Sequence, residues 1–218
     1  MKPYRSVLIS GILLAQIGVS QGATTLSSNL TADDTFNAYL STNDNVLGTF
    51  IAEGSPWFAP HSFSGAALVP GVTNYLHVVV DNTFGGQNMF IGQFSLSDSG
   101  FQFANGTQSL LTNTTSNWRT SAGGSASLWA APSGTPVSFG SNGCCVWDTS
   151  AGTASIDPSA QFIWYVLADN TVGAFFSTTI TPSAASVVPL PATLPLMGTL
   201  LGAGYLVSRW RTRRAARD

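Results

Sequence analysis

Charge is what this sequence has least of. Only 8% of its 218 residues are Asp, Glu, Lys or Arg, and Lys2 is the single lysine. Seven of the eight basic residues sit at the two ends, as Lys2, Arg5, Arg209, Arg211, Arg213, Arg214 and Arg217, leaving Arg119 alone between them. Nine acids against that one arginine put the interior of the chain at a net charge of −8. A protein that grips nucleic acid needs several Lys or Arg to displace counterions, so this function is excluded. Calcium, neutral sugars and cationic partners are electrostatically easier.

Cysteine is nearly absent too. Cys144 and Cys145 are the only two and they are neighbours. A bridge between adjacent residues falls outside ordinary disulfide geometry, so the pair reads first as two thiols, with a bridge within the pair or to another molecule as the alternative. Two cysteines without further ligands at metal spacing exclude a structural zinc. Catalytic signatures are missing as well: there is no G-x-S-x-G elbow, no H-E-x-x-H, no P-loop and no dinucleotide fingerprint. His61 and His77 are the only imidazoles. His77 lies in the apolar run Leu76-His77-Val78 and reads as a structural histidine; His61 follows Pro60 in a loop with no partner suggested. Nine scattered acids permit a glycosidase-like pair in principle without indicating one. The expectation is a protein that is not an enzyme.

What is present is organised in three parts. Residues 1–23 carry Lys2 and Arg5, an uncharged apolar run, and then Ser20, Gly22 and Ala23, the three zones of a secretory signal peptide. Its apolar run is too short to cross a bilayer of about 30 Å. At the other end, residues 187–207 are uncharged and precede Arg209, Arg211, Arg213, Arg214 and Arg217, which places the C-terminus in the cytoplasm and the preceding domain outside. Pro189, Pro191 and Pro195 crowd the outer part of this run, so the uninterrupted helical stretch is short.

The order of that tail carries a family resemblance. Val188-Pro189-Leu190-Pro191-Ala192, an apolar segment with Gly198, Gly202 and Gly204, and a closing arginine cluster resemble the VPLPA variant of the PEP-CTERM sorting signal. The resemblance implies that an exosortase recognises the five-residue motif. It also implies that the transmembrane helix holds the chain transiently in the inner membrane, and that the arginines stop transfer. A plain single-pass anchor is the competing reading of the same residues.

Between the ends, residues 24–183 are rich in Ser, Thr, Gly, Asn and aromatics and lack helical periodicity. Short alternating runs predict strands over residues 35–40, 75–80, 89–96, 162–167 and 172–180. Asn43-Asp44-Asn45, Pro70-Gly71, Gly85-Gly86, Asn105-Gly106, Gly123-Gly124 and Asn142-Gly143 predict turns between runs. Many short strands separated this way predict an all-β, jelly-roll-like β-sandwich. The stretch from Leu30-Thr31-Ala32-Asp33-Asp34-Thr35-Phe36 to Leu40, with Phe162-Ile163-Trp164 and Phe175-Phe176-Ser177-Thr178, resembles the galactose-binding-like outer domains of PEP-CTERM proteins.

Candidate ligand-binding residues are few. Asp33 and Asp34 suit a turn cap or, with backbone carbonyls, a calcium site. Trp57, in Gly54-Ser55-Pro56-Trp57-Phe58, has a loop setting in which an exposed ring could stack on a sugar. Trp164 lies in a continuous apolar strand and reads as core, and Trp210 as a residue of the membrane interface. The expected function is that of an exported, non-catalytic structural or adhesive protein, processed by an exosortase and associated with exopolysaccharide at the cell surface or in the extracellular matrix. The alternative is a carbohydrate-binding module with a specific glycan ligand, calcium-dependent or not.

Overall fold

The computed structural model describes residues 23–59, 61–86, 88–145, 151–167 and 173–184. The expected signal peptide and transmembrane helix, the VPLPA motif and the arginine cluster lie outside these residues, as do Trp147 and Trp210. By its contacts the chain divides into two compact units, Met1–Ser183 and Ala184–Asp218.

Alternation of apolar and polar side chains governs the first unit, and twelve strands run through its described residues. They are β1 (Thr25–Asp33), β2 (Thr35–Ser41), β3 (Thr49–Gly54), β4 (His61–Ala67), β5 (Asn74–Asp81), β6 (Met89–Leu96), β7 (Phe101–Phe103), β8 (Ser109–Leu111), β9 (Arg119–Ala122), β10 (Val137–Ser141), β11 (Gln161–Trp164) and β12 (Ala174–Pro182). In β2, Phe36, Ala38 and Leu40 are buried while Thr35, Asn37 and Tyr39 face outward, the period of a strand with one covered face. The two strands expected late in the chain are present with shifted bounds: β11 ends at Trp164, and β12 starts at Ala174.

The strands form two antiparallel sheets. Sheet A runs β10-β11-β6-β1-β4, with β8 also pairing β6. Sheet B runs β3-β2-β5-β12-β7, with β9 also pairing β12. In each sheet one long strand therefore has its outer edge completed by two shorter strands, end to end: β12 pairs β9 through residues 174–177 and β7 through residues 180–182. The chain passes from sheet A to sheet B between Asp33 and Thr35. The result is a β-sandwich.

The core lies between the sheets. Phe36, Phe90, Phe94, Phe103, Trp118, Trp164 and Phe176 are buried in it with Leu26, Leu30, Leu76, Val78, Val80 and Ile180. Phe90 touches three other rings, with centroids 4.7 Å from Phe176, 5.5 Å from Trp118 and 6.4 Å from Phe94. Burying each such side chain contributes about 1.5–3 kcal/mol, so this layer dominates the stability of the fold. Trp164 is part of it, as its apolar strand requires.

The turn residues sit where the sequence places them. Gly71, Gly85, Gly86, Gly106, Gly124 and Gly143 all have positive φ. The two adjacent cysteines correct the thiol reading, because Cys144 and Cys145 are bonded to each other. The turn that follows β10 carries Cys145 to a φ of 68° and sets both sulfurs against the Phe139 carbonyl oxygen, at 3.7 and 2.9 Å.

Candidate functional site

The outer faces of the two sheets are treated differently by the loops, and this decides what is open to a ligand. On sheet B, His77 and Ser177 are Cα partners on β5 and β12, and both side chains point away from the core. Loop 42–48 and residues 126–134 fold over them. Arg119 of β9 donates to both carboxylate oxygens of Asp44, at 2.7 and 2.8 Å, and also to Pro132 O and Ser177 Oγ. Ser177 Oγ lies 3.2 Å from Asp44 Oδ1. His77 has no exposed surface, reaches Asp44 Oδ1 through Nε2 and Leu47 O through Nδ1, both at 3.3 Å, and lies 4.4 Å from the Trp129 ring. Trp129 in turn donates its indole N–H to Asp44 O.

Burial pushes the Asp44 carboxyl up, but the Arg119 guanidinium, His77 and Ser177 outweigh it and hold Asp44 below its ordinary value. Burial pushes His77 down, more strongly than Leu47 O and Asp44 raise it, so the imidazole is neutral. The Asp44 hydrogen bonds raise Arg119. A Ser, a His and an Asp are thus close together, yet the serine hydroxyl bonds the aspartate rather than the imidazole. Nucleophilic catalysis needs the base on the hydroxyl. The arrangement is a staple for two loops, and His77 is buried in it with an oxygen against each ring nitrogen, only one of which the neutral imidazole can donate to.

Asp33 and Asp34 form the corner between the sheets. Asp33 is nearly buried at the end of β1, and Asp34 accepts the Phe84 amide N–H at 2.8 Å while its own N–H donates to Asp81 O. This is the capping role. Calcium takes about six to eight oxygen ligands, and among the described residues no three His, Cys, Asp or Glu side chains gather in a metal-binding group. Trp57 is half-buried against the small cluster of Met89, Ile91, Ile156, Ala160 and Phe162, and its carbonyl accepts the Thr31 hydroxyl at 2.7 Å. The open aromatic of that loop is its neighbour Phe58, 54% exposed. His61 packs edge-on against Phe36 and its Nε2 lies 3.0 Å from Pro56 O.

Open surface exists on both sheets: beside β2 and β3 of sheet B, Thr35, Asn37, Glu53 and His61 line a pocket of about 510 Å³, and sheet A carries a second, uncharged one. The Trp57 cluster covers one half of the outer face of sheet A. The other half is a groove of about 450 Å³ whose rim is made of Ser27 and Asn29 from β1, Ser62 and Ser64 from β4, Gln93 and Ser95 from β6, and Ser109 from β8. No charged residue lines it. Residues 155–157 close one end, where Asn29 Nδ2 donates to Ser155 O and Gln93 Oε1 accepts the Asp157 N–H. This groove is absent from the sequence reading because its side chains come from four separate strands. The legible trace was a repeated polar-x-polar pattern: Ser27-x-Asn29, Ser62-x-Ser64 and Gln93-x-Ser95. Set against family models, curated proteins and solved structures, the chain matches none.

Proposed function

We propose that this chain is an exported surface or matrix protein whose outer domain, a jelly-roll-like sandwich of the galactose-binding-like kind, has a structural or adhesive, non-catalytic role in association with exopolysaccharide. The signal peptide of residues 1–23 exports it. An exosortase cuts near Val188, Pro189, Leu190, Pro191 and Ala192, while the transmembrane helix and Arg209, Arg211, Arg213, Arg214 and Arg217 hold the tail at the inner membrane. The observation that carries the association is the open half of sheet A, a groove of hydroxyls and amides without a charge. Such a lining exchanges hydrogen bonds with a hydroxyl-rich polymer and gives no electrostatic reason to hold an ion. The engagement of His77 and Asp44 by their neighbours supports the non-catalytic part.

Intact mass and C-terminal peptide mapping of the protein from its host, with and without the exosortase, test the processing. A chain that begins near Ala23 and ends near the Val188 to Ala192 motif only when the exosortase is present is the expected result. A chain ending at Asp218 in both strains refutes it and leaves a single-pass anchor.

A second reading, a module for one specific glycan held by loop aromatics, is favoured by the exposure of Phe58 beside Trp57. Calcium at Asp33 and Asp34 belongs to this reading. Glycan-array binding that disappears with Phe58→Ala, or on calcium removal, selects it over the first.

A further inference from the structure

Resting on the association with polysaccharide proposed above, we infer that the groove on sheet A binds a neutral, hydroxyl-rich glycan chain laid across β4, β1, β6 and β8. The strand register arranges the lining into two rungs. Asn29 is the Cα partner of both Ser62 and Gln93, which makes one rung; Ser95 is the partner of both Ser27 and Ser109, which makes the other. Neighbouring strands lie about 4.8 Å apart and residues two apart on one face lie about 6.7 Å apart, so the rungs form a regular grid of polar groups on a rigid support.

Each element of the grid matches a sugar hydroxyl, which donates once and accepts twice. The serine hydroxyls on the rungs have the same double capacity. The two amides are each half used: Asn29 has spent its Nδ2 on Ser155 O, and Gln93 its Oε1 on the Asp157 N–H. What they present is therefore an acceptor at Asn29 Oδ1 beside a donor at Gln93 Nε2. Beneath the rungs, Phe63 and Phe94 turn their side chains to the core, so what the groove presents is the polar grid alone.

Charge selects the class of polymer. No Lys or Arg lines the groove to pair with an acidic sugar, and the chain between its ends carries nine acids and one arginine, so a polyanion is repelled. No acid lines it to draw a cationic polymer. The volume of about 450 Å³ falls within the usual range of small-molecule sites, about 300–1,000 Å³.

Affinity electrophoresis of the protein purified from its host, through gels containing dextran, mixed-linkage β-glucan, alginate, or the neutral and acidic fractions of the host's own extracellular polysaccharide, tests this. At least one neutral polymer is expected to retard the protein, and alginate and the acidic fraction are not. Ser95→Glu and Ser62→Glu, both at exposed positions, are each expected to weaken that retardation about tenfold or more, with an unchanged melting temperature. Neutral binding that survives both substitutions overturns the groove assignment and leaves the association with polysaccharide intact. Retardation by the acidic polymers alone overturns the neutral class. Failure of every polymer, the host fractions included, refutes the underlying association as well.

Discussion

Arg119 is the only basic side chain between the two ends of the chain, and it is spent on Asp44. Removing the carboxylate leaves a guanidinium, an imidazole and a serine hydroxyl facing an atom that no longer accepts equally from all three. Asp44→Asn is expected to cost about 1–3 kcal/mol, read from urea unfolding, and to shift the fluorescence of Trp129, whose indole N–H rests on the Asp44 backbone. The same cluster sets a pH dependence. His77 titrates below its ordinary 6.5 when folded, so between that lowered value and 6.5 the unfolded chain binds the proton and the native chain does not. Stability is therefore full above about pH 6.5 and declines as pH falls below it. Asp44, held below 3.8, adds a second decline at stronger acid, as pH falls through its lowered value. The melting temperature is expected to drop between pH 7 and pH 5 in the natural protein, and His77→Gln to flatten that slope even though it lowers stability overall.

The loop between β2 and β3 shows why such an element folds back over its sheet. Asn43 Oδ1 accepts the Asn45 N–H, Ser41 Oγ accepts the Asn43 N–H, and Gly48 closes the turn at φ 85°. A Cβ at Gly48 would run into Leu40 O and come within 2.8 Å of Ser41 Cα, on top of a backbone conformation that favours glycine. Gly48→Ala is expected to cost about 1–3 kcal/mol and to expose loop 42–48 to proteolysis, checked by thermal melting and timed digestion. The Asn43-Asp44-Asn45 signal for this turn is legible in the sequence, as are β2, β5 and β6, because their apolar residues alternate or run continuously. The strands that escape such reading are poor in large apolar residues. β4 is His61-Ser62-Phe63-Ser64-Gly65-Ala66-Ala67, an edge strand with Phe63 as its one large inward side chain, and β1 mixes Leu26 and Leu30 with Ser28 on the inner face. The groove was unreadable for the same reason, since its lining is the polar outer set of these strands and becomes a surface only when sheet A pairs them. Asp33 and Asp34 were recognisable as a turn, but nothing local could tell that the Asp34 carboxylate would meet the Phe84 amide fifty residues away.

At the scale of the molecule, the order in which the chain completes its sheets bears on when it can fold. β12 is the last strand before the tail, yet it lies inside sheet B, paired with β5 along Ala174–Ile180 and with β9 and β7 on its other edge. It also brings Phe176 and Ile180 into the core. Until residues 174–182 are available, β5 has a bare inner edge, β7 and β9 have no partner strand, and the aromatic layer around Phe90 is open. By contrast, Ser183 N–H donates to Gly100 O, and the division of the chain into two units falls immediately after it. A chain of residues 24–183 is therefore expected to melt cooperatively, and so is a chain of residues 24–218. A chain of residues 24–173 is expected to give no cooperative transition and to bind a hydrophobic dye. Circular dichroism and calorimetry of the two truncations check this. Equal folding of both would mean that the sandwich closes without β12. Loss of folding in both would make the tail part of the domain, which is incompatible with a tail that an exosortase removes from a finished outer domain.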